Sequence, residues 1–172
     1  MIFTPCKEEQ MNQLDGFYRT VVGYLEANVN YPKWTDDHPG TESIAQAIAD
    51  GTQYICMDGD RIVGAVRLSE NPEGFYEAGE WSKPLKEGEY LAIHALAVHP
   101  GCARRGIGSY LVKECIGKAK HDGYQAIRLD VVPGNYPAAD LYQKMGFQYA
   151  GTKDLRRDIE EIPVFDLYEL NL

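Results

Sequence analysis

Residues 93–111 read IHALAVHPGCARRGIGSYL: an apolar run, a Pro-Gly turn, two arginines, and two glycines opening a new periodic segment. Backbone and positive charge offered just ahead of a helix suit an anion, because the first N–H groups of a helix lack internal partners and face outward. The successive N–H groups of Arg104, Arg105, Gly106, Ile107, Gly108 and Ser109 can form such a cradle. Arg104 and Arg105 add charge, and the glycines leave the approach clear. Two phosphate loops are excluded by spacing. Gly-Ile-Gly-Ser-Tyr-Leu from Gly106 lacks the third glycine of a dinucleotide fingerprint, and Ile107 and Gly108 stand where a P-loop needs lysine and a hydroxyl. A plain strand-to-helix turn, with glycines for packing and solvated arginines, fits the loop equally well.

Two side chains nearby could move protons. His94 is the strongly polar residue of the run 91–98, and alternation puts Tyr90, Ala92, His94, Leu96 and Val98 on one face. An imidazole suits a general base near neutral pH, although a buried histidine bonded to a carbonyl gives the same pattern. Tyr142 shares an apolar helix face with Ala138, Leu141 and Met145, which is also the place of a core aromatic.

The elements that must position these groups follow from periodicity. Residues 7–27 carry a helical pattern of Met11, Leu14, Phe17, Tyr18, Val21, Val22 and Leu25. Residues 41–51 predict a short helix with Thr41 as its cap. Residues 53–69 predict a hairpin turning through Asp58-Gly59, and 70–89 a long irregular connection. Strand 90–98, helix 106–121, strand 126–132 and helix 137–146 follow, with closing strands at 147–151 and 164–170. The expected fold class is α/β (α+β) with a mixed sheet, in a single domain spanning 1–172.

At 172 residues, 44% hydrophobic and a formal charge of −9, the chain can bury a real core and argues against nucleic-acid partners, which need a basic surface. Cys6, Cys56, Cys102 and Cys115 form no CxxC pair and no zinc-type spacing, so reduced thiols and no metal are expected. No signal pattern or membrane-length stretch is visible; a cytoplasmic protein without membrane partners is the expectation.

With these residues in hand, the sequence resembles the GNAT superfamily of acyl-CoA-dependent N-acetyltransferases, well over 53–151 and loosely at the ends. ARRGIG (103–108) matches the family's [Q/R]-x-x-G-x-[G/A], with Ala103 at the position normally Gln or Arg. NYPAADLYQKMGF (135–147) matches N-x-x-A-x-x-L-Y-x-K-x-G-F in full. The resemblance implies a GNAT fold, a mixed and mostly antiparallel central sheet with splayed parallel strands and helices on both faces. It also implies acetyl-CoA as co-substrate, its pyrophosphate in the 103–109 cradle. The backbone of Leu96, Ala97 and Val98 would meet the pantetheine and the thioester carbonyl, where an N–H stabilises the developing oxyanion. Asn135 would bond the pantetheine, Ala138 would leave room for it, and Tyr142 would protonate the departing thiolate.

HALAVH (94–99) looks like the strand of arylalkylamine N-acetyltransferases, in which histidine serves in proton removal. Ala92 stands where that subfamily carries a second histidine. His94 is therefore the expected base.

The implied function is acetyl transfer by direct attack of the primary amine of a small molecule. A protein or peptide acceptor is one alternative, and a non-catalytic acyl-CoA-binding module is another. Acceptor contacts fall to the loops 28–40, 70–89 and 152–163, with Tyr31, Trp34 and Trp81 as candidates; a homodimer is compatible with the sequence.

Overall fold

The computed structural model describes all residues 1–172. Seven strands form one sheet: β1 (Ile2–Pro5), β2 (Gln53–Asp58), β3 (Arg61–Ser69), β4 (Tyr90–Val98), β5 (Ala126–Val131), β6 (Gln148–Lys153) and β7 (Phe165–Asn171). Their order is β1-β2-β3-β4-β5-β7-β6. β4 and β5 run parallel, whereas β1–β2, β2–β3, β5–β7 and β6–β7 are antiparallel. Four helices join them: α1 (Met11–Ala27), α2 (Thr41–Ala49), α3 (Ile107–His121) and α4 (Tyr136–Lys144). This is the α+β GNAT fold.

The chain gathers into two compact units, Met1–Leu68 with Ala95–Glu114, and Ser69–His94 with Cys115–Leu172. In the first, Leu14, Phe17, Tyr18 and Val21 of α1 are buried with Ile44, Ile55, Ile62, Ala65 and Ala97. The helical stripe read from the sequence is thus the face that α1 buries. The helix itself begins at Met11, because Glu8–Gln10 form a separate 3-10 turn in which the Gln10 side chain accepts from the Lys7 N–H at 2.9 Å. Gly40, not Thr41, takes the cap position of α2; the Thr41 hydroxyl instead donates to Asp15 at 2.8 Å.

The hairpin closes through Gly59 and Asp60, since Asp58 pairs with Arg61, and Gly59 has φ 60. That places glycine at the first loop position, where a two-residue hairpin needs a left-handed backbone. β1 is absent from the sequence reading. Ile2 to Pro5 pair with Met57 to Tyr54 but are too short to show a period.

The second unit buries Tyr76, Tyr90, Ala126, Ala150, Leu155, Phe165 and Leu167, with Trp81, Leu85, Val132 and Ile162 against them. Here lies the long connection 70–89. Its anchor is Arg128, 2% exposed, whose guanidinium lies 4.4 Å from the Trp81 ring centre and 4.3 Å from that of Tyr90. Arg128 Nη2 donates to the Lys83 carbonyl at 2.8 Å, and Glu169, opposite Arg128 in the β5–β7 register, accepts from the Ser82 N–H at 2.6 Å. Taking such a charge out of water is costly, so removing one of the groups that hold it is strongly destabilising. The segment is therefore irregular but pinned. No helix is long and apolar enough to cross a membrane.

Candidate active site

In the first unit the cradle is a local consequence of two left-handed residues. Arg104 (φ 63) and Gly106 (φ 74) turn the chain after the 3-10 turn Pro100–Cys102, and Tyr110 N–H closes the first turn of α3 on the Gly106 carbonyl at 2.9 Å. The N–H groups of Ile107, Gly108 and Ser109 are therefore the first three of the helix and face out of its end. A Cβ on Gly106 would meet nothing within 4 Å, so glycine is required there by its backbone conformation and not by crowding. The Ile107 side chain, 1% exposed, anchors the helix start in the core.

Ala103, Arg104 and Arg105 are exposed. Arg105 is not simply solvated: Nη2 pairs with Asp58 Oδ2 at 2.9 Å, leaving Arg104 as the arginine whose charge is uncommitted to that pair. His99 caps the 3-10 turn by accepting the Gly101 N–H on Nδ1 at 3.1 Å, a purely structural task.

Just upstream, β4 pairs with β5 from Tyr90↔Ala126 only as far as Ile93↔Leu129. Ala95 then has φ 47, left-handed for a residue with a side chain. The buried Tyr18 hydroxyl donates to the Ala95 carbonyl at 2.9 Å and holds that irregularity. The alternation read from Tyr90 through Val98 therefore stops at Ala95, and His94 does not share one regular face with Leu96 and Val98. Leu96, Ala97 and Val98 continue β4 beyond its last β5 partner, which leaves their β5-side backbone out of that ladder.

In the second unit His94 belongs to a cluster that the sequence did not announce. Its Nδ1 lies 3.8 Å from Asp130 Oδ2, and the Tyr76 ring meets it edge-on with centres 6.2 Å apart. Asp130 is gripped by Arg157 through two bonds, Nη1 to Oδ1 at 2.7 Å and Nη2 to Oδ2 at 2.9 Å, and it accepts the Tyr76 hydroxyl proton on Oδ2. Burial alone would raise the Asp130 carboxyl, but the Arg157 bonds and charge outweigh it and hold the pKa below the usual carboxylate value. Tyr76 moves the other way: burial, then the Asp130 charge, push its phenol well up.

Asp130 had a faint sequence signal, an acid inside the apolar strand 126–132. Arg157 and Tyr76 had none, because they reach Asp130 from segments 27 and 54 residues away.

Tyr142 lies on α4, 6% exposed, with the Phe147 ring at 5.5 Å and 63°. Burial, and secondarily the Cys115 and Asp130 charges, push its phenol above the ordinary tyrosine value, so it stays protonated at neutral pH. Asn135 caps α4, its Oδ1 accepting the Ala138 N–H at 3.4 Å; that gives Asn135 a structural task beside any ligand contact. A cleft of about 310 Å³ lies against α4, lined by Asn135, Tyr136, Ala139, Gln143 and Tyr168 among others.

Of the acceptor candidates, Tyr31 is exposed in its loop. Trp34 meets Tyr18 and His38 edge-on, each at 6.2 Å between ring centres. Trp81 stacks on Tyr76 at 5.9 Å, donates its Nε1–H to the Tyr76 carbonyl at 2.6 Å and carries Arg128. The Trp81 ring thus has a structural task in holding its own loop.

Comparison with known proteins gives the family and the fold. Residues 23–147 match the acetyltransferase (GNAT) family. An uncharacterized N-acetyltransferase of Methanocaldococcus jannaschii is 32% identical over 82 residues, 47% of this chain and 36% of that protein. The match thus spans about a third of the length of this curated relative. A GNAT-family acetyltransferase of Listeria monocytogenes superposes with a TM-score of 0.78 at 16% identity, over 99% of this chain and 94% of that one. A ribosomal-protein-alanine N-acetyltransferase of Brucella melitensis does so at 0.73 and 16% identity, over 100% of both chains. At those identities the two structures speak for the fold, while the family match covers most of the chain: this protein belongs to the GNAT family of acetyltransferases.

Proposed function

We propose that the chain, working as one domain, transfers an acetyl group from acetyl-CoA to the primary amine of a small molecule by direct attack. The observation that carries this reading is the sequence of backbone events along β4 and into α3. Pairing with β5 ends at Ile93, Ala95 turns left-handed, Leu96–Val98 run on without that ladder, and the chain enters the open N-terminus of α3 through Arg104 and Gly106. Acetyl-CoA supplies the thioester and the anionic end that these groups are suited to meet.

Within this reading the N–H groups of Ile107, Gly108 and Ser109, with Arg104, take the pyrophosphate. The backbone of Leu96, Ala97 and Val98 offers the donors and acceptors for the pantetheine and the carbonyl. His94 receives the amine's proton directly or through water. Tyr142, kept protonated by burial, gives a proton to the leaving thiolate. Asn135 and Ala138 sit at the start of α4, where a polar amide and a small side chain suit the pantetheine arm.

A calorimetric titration of the whole protein with acetyl-CoA, repeated with dephospho-CoA and followed by an amine screen, tests the reading. One-to-one binding that weakens without the 3′-phosphate is expected. Failure to bind either ligand overturns the donor site and the chemistry assigned to it.

A further inference from the structure

His94 sits beside a carboxylate that is otherwise engaged. Asp130 Oδ2 is 3.8 Å from His94 Nδ1, outside hydrogen-bond reach, while the same oxygen accepts from the Tyr76 hydroxyl and from Arg157 Nη2 at 2.9 Å. Arg157 is itself fixed, because Nε and Nη2 donate to the Glu73 carbonyl at 3.1 and 2.8 Å. The backbone on either side of it is equally committed: Arg156 and Asp158 both have φ 55, a conformation that residues with side chains adopt only when their surroundings hold them there. Asp154 Oδ1 accepts the Arg156 N–H at 2.7 Å, and the Arg156 guanidinium lies 4.1 Å from the Phe75 ring centre. The 152–163 connection is thus shaped to bring one cation onto Asp130.

We propose that Arg157 and Tyr76 set the base strength of His94 by limiting how much of the Asp130 charge and hydrogen-bonding capacity reaches it. A bare buried carboxylate at this distance would favour the imidazolium strongly and leave His94 already protonated when an amine arrives. A carboxylate absent altogether would leave the imidazole with no nearby anion to support the proton it takes. The bidentate arginine and the phenol place His94 between these limits. They act on the reaction only through His94, so both are positioning residues. The groups gathered at this point include Asp130 from β5, Tyr76 from the turn Tyr76–Ala78 and Arg157 from the β6–β7 connection, and the Asp130 charge is also felt by the phenol of Tyr142 on α4.

The catalytic consequence rests on the proposed role of His94, but the tuning is measurable without turnover. The test follows the His94 imidazole by NMR pH titration of the full chain, its signal assigned by its loss in His94→Gln. The variants are Tyr76→Phe, Arg157→Gln and the paired Asp130→Asn/Arg157→Gln, which removes both charges without stranding either. Tyr76→Phe keeps the ring and removes one of the two donors on Oδ2, so the His94 titration should rise by about half a pH unit. Arg157→Gln should raise it further, and the paired variant should bring it below wild type.

Tyr76→Phe and the paired variant decide the matter if Arg157→Gln folds poorly. A His94 titration unmoved in both overturns the proposal. The acid limb of kcat/KM should move with the NMR value. If the NMR titration moves and that limb does not, the tuning stands and the role of His94 as proton acceptor is what fails.

Discussion

The start of α3 and the end of β5 are built by opposite means. The α3 cradle is built from main chain: left-handed Arg104 and Gly106, then N–H groups that no side chain supplies. It is exposed, and its arginines are near the surface, where charge pairs are worth little on their own. The Asp130 cluster is built from side chains drawn from separate segments, with Asp130 and Arg157 each about a tenth exposed. There a lost partner leaves a charge with neither water nor counter-ion. The first region should therefore tolerate side-chain changes and resist backbone ones. The second should be sensitive to each change of charge.

The largest expected effect breaks the buried pair. Asp130→Ala strands Arg157 and should cost about 3–5 kcal/mol in thermal or urea unfolding, whereas the paired Asp130→Asn/Arg157→Gln should recover much of it. Equal losses in the two proteins would show that charge pairing is not what holds the cluster.

Acid should act on the same pair. The folded-state carboxyl pKa lies below the unfolded value, so its stabilisation is present above about pH 4 and lost as pH falls through the folded value. Below pH 4 the paired variant should accordingly lose less stability than wild type, read as a flatter acid-unfolding curve.

Next in size, Tyr142→Phe should lower kcat by about 10²-fold or more with little change in acetyl-CoA affinity, as loss of a proton donor does. Unchanged turnover would return Tyr142 to the core beside Phe147. Gly106→Ala should then destabilise the fold by about 1–2 kcal/mol, since a Cβ there has space but the wrong backbone preference. It should also weaken acetyl-CoA binding. The smallest effect is Arg104→Ala, a several-fold weaker affinity that shrinks as salt is raised. An effect of Arg104→Ala larger than that of Gly106→Ala would reverse the contrast drawn between main chain and side chain.

The same contrast explains what could be read in advance. The helix faces of α1 and α3, the β2–β3 hairpin and the strands β4 and β5 were legible because each rests on a local period or a turn residue. The cradle was legible because it is a short contiguous stretch, and α4 because proline and glycine mark its ends. β1 escaped, being four residues long, and so did the break in β4, since nothing in HALAV tells Ala95 to leave the strand region. Trp81 was legible only as an aromatic of a long irregular connection; its contacts with Tyr76 and Arg128 were not, because those partners lie on a turn and a strand that only packing brings to it.

By itself the sequence determined the family, the motifs ARRGIG and NYPAADLYQKMGF, and the place of each at a strand-to-helix junction, for these are carried by residues adjacent along the chain. Tertiary structure alone decided that Asp130, Arg157 and Tyr76 converge beside His94, and that Tyr18 reaches across 77 residues to the Ala95 carbonyl. The physical reason is range. Backbone conformation and hydrogen bonding within a helix turn depend on near neighbours, whereas burial and the charge a residue feels depend on whichever segments the fold lays against it.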